Sequence, residues 1–192
     1  MRSLLSLITL LLAFAAACGE EGGAGAGGGE EPRRFVAHLG PLNRADVEGT
    51  ARMSLRGDRL TVDLDAVGVE PEIHRLHIQA LRDGGEATCP AREDDTNRNR
   101  FVGLEEGQSA YGSDKIKLEP FPTANSSRKL SWDLTLPVDP EDPAPLDRRV
   151  FLILGRSANL DGKRGAEYVP DMPVACGRIE SLAGTASEGS QG

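Results

Sequence analysis

The chain has 192 residues, 30 acidic against 22 basic side chains, a formal net charge of -8, and only 4% aromatic residues. That balance excludes a nucleic-acid partner, which needs a basic face, and disfavours docking through charge on an anionic membrane surface. With 3 histidines and no Gly-x-Ser-x-Gly elbow, no nucleophile, base and orienting group assemble into a hydrolase.

Arg2 precedes the apolar run 4–14, which ends in Ala15-Ala16-Ala17-Cys18-Gly19. The run is too short for a comfortable bilayer span, and small residues before a cysteine are what a lipoprotein signal peptidase accepts. Residues 1–17 are therefore expected to be a lipoprotein signal peptide and Cys18 the lipidated residue. Ala15 stands where such sites usually carry Leu, which leaves ordinary cleavage with a free Cys18 thiol as the alternative. Residues 18–32 continue as a Gly-rich stretch that cannot bury enough apolar surface to offset its conformational entropy, so they read as a tether. An exported, lipid-anchored envelope protein follows, its membrane contact made through the anchor and its further partner an unnamed envelope protein or ligand. Gly19 is not the aspartate that retains lipoproteins in the inner membrane, which points to the outer membrane, with the domain in the periplasm or at the cell surface.

Residues 33–183 are the length of one domain with a real core, and 184–192 form a polar tail expected to be disordered. Strands are predicted at 35–39, 47–55, 60–66, 73–81, 115–119, 130–136, 150–154 and 174–182. The clearest are 47–55 and 60–66, which alternate with period two around Arg56-Gly57-Asp58-Arg59 and so predict a hairpin. Gly, Pro, Asn and Asp clusters separate the strands, and no segment after the leader keeps a helical period over three turns. The expected fold is an all-β, eight-stranded antiparallel barrel or sandwich with two long loops, at 82–114 and 155–173.

With Cys18 assigned to lipid, Cys89 and Cys176 remain as an even pair in an oxidising compartment, which predicts a disulfide. Within the first long loop, residues 95–106 match the twelve-residue calcium loop: Asp95, Asn97, Asn99 and Glu106 offer oxygens at positions one, three, five and twelve, and Phe101 a carbonyl at seven. Position six requires a left-handed backbone but carries Arg100, with Arg98 nearby. Calcium is thus the one candidate cofactor, handicapped by two guanidinium groups. The competing expectation is a polar loop whose carboxylates pair with Arg98 and Arg100.

Several pieces together resemble the Cu,Zn superoxide dismutase superfamily: Val47-Glu48-Gly49, residues 73–79 with His74 and His77, residues 149–155, and Ala175-Cys176-Gly177-Arg178-Ile179. A closer similarity is to dismutase-like envelope proteins of the CHRD type, through His74 and His77, Cys89-Pro90, the acidic run 95–106, Tyr111-Gly112 and residues 168–177. The resemblance implies an eight-stranded Greek-key β-barrel and a bridge from the long loop to the last strand, mapping onto Cys89 and Cys176.

The same resemblance places metal ligands where this chain lacks them. Gln79 stands at the third histidine position of the strand, Leu154 at the later copper ligand, Pro173 at the superoxide-guiding arginine, and the loop 82–129 has no histidine. Imidazole cages are what copper and zinc prefer, so neither metal nor dismutase activity is expected. Parity puts His74 on the face of Leu76 and Ile78, as a core or loop-latching histidine bonded to backbone. His77 shares the other face with Gln79 and is the imidazole left for a transition metal, while His38 on the first strand takes a solvated or partly buried polar role. The leading expectation is a non-catalytic dismutase-like module that binds or supports something at the envelope. The alternatives are a divergent dismutase or copper-binding protein using His74 and His77, and a calcium-binding adhesion or matrix module.

Overall fold

A period-two pattern commits each strand to one buried and one exposed face, and the third strand keeps it without a break. In the computed structural model, which describes residues 31–139, 145–160 and 165–182, Leu60, Val62, Leu64 and Ala66 all point into the core while their neighbours face solvent. The strands are β1 (Arg33–Pro41), β2 (Glu48–Arg56), β3 (Arg59–Val67), β4 (Arg75–Ala80), β5 (Asp114–Lys117), β6 (Lys129–Pro137), β7 (Val150–Ala158) and β8 (Glu167–Leu182). The β2–β3 hairpin turns at Gly57, whose φ of +57° at the first central position is the conformation glycine adopts without steric penalty.

The strands form one curled antiparallel sheet, a half-barrel in the order β5-β4-β7-β8-β1-β2-β3-β6. The connections from β3 to β4, from β5 to β6 and from β6 to β7 cross between the two halves of the sheet, which gives a Greek-key path. The expected tail and the anchoring segment around Cys18 lie outside the described residues.

Two apolar clusters hold the sheet. The inner one joins Phe35, Met53, Leu64, Leu76, Ile78, Phe151, Ile153 and Ile179 on the concave face. The second lies on the outer face of β7, where Val150, Leu152 and Leu154 pack with Ala87, Tyr111 and Cys176 beneath the long loop between β4 and β5. Both faces of β4 and β7 are therefore covered, and their buried runs lack clean alternation.

Several boundaries differ from those the sequence suggests. Ile73 is not part of β4; it makes an isolated bridge to Thr123 and is exposed. The expected loop 155–173 shrinks to 159–166, because β7 continues to Ala158 and β8 starts at Glu167. Residues 167–169 pair only with β7, whereas β1 joins β8 from Ala175 onward. A strand edge free on one side tolerates Pro170 and needs no apolar alternation, so it lacks the pattern that marks the other strands. Residues 81–113 remain a long connection with two short helical turns, Arg92–Asp94 and Gln108–Tyr111.

Candidate functional site

His74 enters the site from the segment before β4 and is fully buried. Its Nε2 lies 2.7 Å from the Glu70 carbonyl oxygen and its Nδ1 3.1 Å from that of Leu154. Buried polar atoms need such partners, and here a backbone carbonyl lies within reach of each ring nitrogen, the imidazole donating to one of them for each N–H it carries. Leu154 presents its carbonyl at an irregularity of β7, where Gly155 takes a φ of +112°. Tyr168 stands edge-on to the imidazole at 6.4 Å and donates its hydroxyl to the Ile73 carbonyl. Burial, then the charges of Glu70 and Glu72, push its phenol up to about 12, so it remains a donor. Glu70 in turn accepts from the Ser157 amide and hydroxyl. His74 is thus one stitch in a seam that binds residues 70–74 to β7, the latching role that strand parity predicts.

His77 projects from β4 to the opposite side, where it is not solvated: it is 3% exposed and Gln79 only 2%. Gln79 Nε2 donates to His77 Nδ1 at 3.5 Å, and the ring tilts against Phe121 at 6.3 Å. Burial first, then Lys115, push the imidazole down to about 4; Lys117 and Arg75 add to this and Asp171 opposes it. His77 is consequently neutral at pH 7 and lines a cavity of about 280 Å³ with Arg75, Lys115, Lys117, Glu119 and Phe121. His38 is exposed on β1, opposite Thr50. The contacts of His74 and His77 share no partner, and among the described residues no three His, Cys, Asp or Glu side chains are grouped to hold a metal ion.

Asp95, Asn97, Asn99, Phe101 and Glu106 do come together in one tight loop. Asp95 accepts the Asn99 amide on Oδ1 at 3.1 Å and the Arg100 amide on Oδ2 at 2.8 Å. Asn97 Oδ1 accepts the Asn99 amide at 2.9 Å, and Asn99 Oδ1 the Phe101 amide at 2.8 Å. Glu106 closes the loop by accepting the Asn97 amide and the Thr96 hydroxyl on Oε1, each at 3.0 Å, and the Gly103 amide on Oε2 at 2.9 Å. Burial, the largest single influence, raises the Glu106 carboxyl, but the Gly103, Asn97 and Thr96 donors together outweigh it and hold the group below the usual carboxylate range. Arg98 and Arg100 adopt φ of +59° and +77°. The expectation that the loop carboxylates pair with these two arginines is corrected: backbone amides bind the carboxylates, and among the described residues no ion pair joins either guanidinium to one.

Cys89 and Cys176 are joined across a Cα separation of 5.7 Å, which ties the long loop to β8. Tyr111 backs the loop from below by donating to the Leu104 carbonyl at 2.6 Å. Burial, and secondarily Asp94 and Glu106, push its phenol well above the ordinary range.

Sequence reasoning missed Asn43. Its Nδ2 donates to the carbonyls of Val102 at 2.9 Å and Pro173 at 2.8 Å, and its Oδ1 accepts the Val102 amide at 2.7 Å. This clamp brings the β1–β2 turn against the calcium-like loop, leaving a cavity of about 230 Å³ between them, lined in part by Arg44, Arg92 and Arg100. The only signal in the sequence was an asparagine beside a turn, a residue that tolerates its observed φ of +52°.

No family model and no curated protein matches the chain. Among solved structures, the chain is similar to one titled "Crystal Structure Analysis of the clock protein EA4", at 13% identity and a TM-score of 0.47, over 80% of this chain and 97% of that one.

Proposed function

We propose that this chain is a non-catalytic, superoxide dismutase-like β module held at the cell envelope by lipid on Cys18, where it serves as a binding or structural unit. The observation that carries this reading is the disposition of the imidazoles. His74 faces two backbone carbonyls, His77 is packed against Gln79 and Phe121, and His38 is exposed on β1. This donor set does not fit a copper or zinc cage, which needs several imidazoles around one point. The Greek-key order and the bond from the long loop to β8 are features the family resemblance implies, and they support the dismutase-like assignment. The test is elemental analysis of the purified full chain together with a superoxide assay. Copper and zinc should fall well below one equivalent with no dismutation; near-stoichiometric copper with activity would overturn the proposal. Replacement of Cys18 by Ser should move the protein from the membrane fraction to the soluble fraction.

A calcium role at residues 95–106 is supported by a separate observation. A calcium loop needs a left-handed turn at its sixth position, and Arg100 makes that turn although it is not glycine. The oxygens of Asp95, Asn97, Asn99 and Glu106 and the Phe101 carbonyl are the hard donors calcium prefers, and these residues would hold it. The ion would supply cross-linking of the loop, not chemistry on a substrate. Calcium should raise the melting temperature and EDTA reverse the rise; a melting temperature indifferent to both would remove this role.

A further inference from the structure

We infer that the cavity between the β1–β2 turn and the calcium-like loop is a binding site for a small oxyanion, a phosphate or a carboxylate, held by Arg44, Arg92 and Arg100. In a chain of net charge -8, the residues lining this cavity include three arginines against one carboxylate, Asp95. Both Asp95 oxygens already accept backbone amides. Among the described residues none of the three arginines is ion-paired, a state they share with most of the other described arginines; what sets them apart is that they line one cavity. Guanidinium forks match the paired oxygens of carboxylate and phosphate, and unneutralised cations in one concavity raise the local concentration of such anions.

The site is also held in place. The Asn43 amide fixes the turn to Val102 and Pro173, the Asn43 carbonyl accepts from Arg156, and two of the lining arginines sit in the left-handed region, Arg44 at +59° and Arg100 at +77°. Strain of this kind collects at binding sites, where the surrounding structure over-determines it. It also gives the position-six arginine a reason to be there: its backbone makes the loop turn while its side chain lines the cavity. Leu42 and Val102 add apolar wall. At about 230 Å³ the cavity is smaller than the roughly 300–1,000 Å³ of drug-sized sites, which suits an oxyanion with a short organic body.

This deepens the reading of the chain as a binding module by naming a ligand class. The test is titration of the full, 15N-labelled chain with inorganic phosphate and, separately, acetate, at ionic strength matched with chloride. The arginine side-chain Nε–Hε resonances report. Those of Arg44, Arg92 and Arg100 should shift together and saturate, while Arg59 on the far hairpin stays still and chloride alone moves none. The tighter of the two probes assigns the oxyanion. Arg44→Gln and Arg92→Gln, both at exposed positions, should each weaken binding about tenfold, the factor for one lost charge-assisted contact of roughly 1.4 kcal/mol, with unchanged melting temperature. Shifts that are linear, shared by Arg59 or reproduced by chloride would overturn the site, as would wild-type affinity in the two variants. Those results would leave the non-catalytic reading standing. Copper with dismutase activity would do the reverse.

Discussion

The carbonyl oxygen of Glu70 lies 2.7 Å from Nε2 of His74, and that contact, with the one to Leu154, fastens the approach to β4 onto β7. Replacement of His74 by Leu keeps much of the volume but leaves the carbonyls facing an apolar group. Unsatisfied buried polar atoms cost about 1 to 3 kcal/mol, so urea unfolding of His74→Leu should show a loss of that size. A variant as stable as the parent would mean the seam does not depend on the imidazole.

Gly155 adds a second dependence on the same seam. A Cβ there would meet the Tyr168 hydroxyl oxygen at 2.1 Å, and the φ of +112° disfavours any side chain. Gly155→Ala should therefore destabilise by roughly 2 kcal/mol or more, combining backbone strain with the clash. Removing the hydroxyl with Tyr168→Phe relieves the closest contact, so the two substitutions should be non-additive, with Gly155→Ala less costly in the Phe background. Strict additivity in a double-mutant cycle would refute the steric account.

His77 makes stability depend on pH. Its imidazole is pushed down to about 4 in the fold from the ordinary 6.5, so the unfolded chain binds the extra proton first as pH falls. Its contribution is complete above the unfolded value, declines as pH drops below 6.5 and levels off near 4. Between pH 7 and 5 the loss is about 2 kcal/mol by proton linkage. His77→Gln should abolish most of this slope. The Glu106 carboxyl, held below its usual range, loses its contribution only at lower pH and should keep that part of the acid limb. A slope unchanged by His77→Gln would locate the pH dependence elsewhere.

The strands that were plain in the sequence are those with one wet face. β2 and β3 alternate, and the glycine between them fixes the turn, so local chemistry determines both the strands and their pairing. The latching role of His74 was legible for the same reason, since parity assigns it a face. What local pattern could not convey was contact between distant segments. Arg44 and Arg92 are far apart in the chain and line one cavity where Asn43 reaches across to Val102 and Pro173. The first residues of β8 carry no alternation because they pair on one side, and Pro170 among them reads as a loop residue. The acidic loop was recognisable from its spacing, but its arginines could be read as partners of the carboxylates until the amide donors were placed.

The Cys89–Cys176 bond closes a loop of 87 residues. On the chain-entropy argument such a bridge stabilises by about 4 to 5 kcal/mol, mainly by restricting the unfolded chain. The double replacement by Ser should lower stability by that order. It should also speed amide exchange selectively in residues 81–113, which pack on the second cluster and are tied to β8 through this bond. Uniform exchange over the whole sheet would show that the bridge does not act on the loop in particular.

Arg100 links the loop to the adjoining cavity, and its replacement by Gly separates their roles. A left-handed backbone at a residue bearing Cβ costs roughly 1 to 2 kcal/mol, and the guanidinium would repel a cation placed at Asp95 and Glu106. Arg100→Gly should therefore enlarge the calcium-induced rise in melting temperature, because glycine makes the same turn without strain and without charge. The same substitution removes one of the three guanidinium groups lining the cavity, so phosphate or acetate should bind more weakly. Opposite movements of the two responses are expected. If thermal melts with calcium and with EDTA show the rise smaller in Arg100→Gly than in the parent, the loop is not tuned by its sixth residue as the φ of +77° suggests.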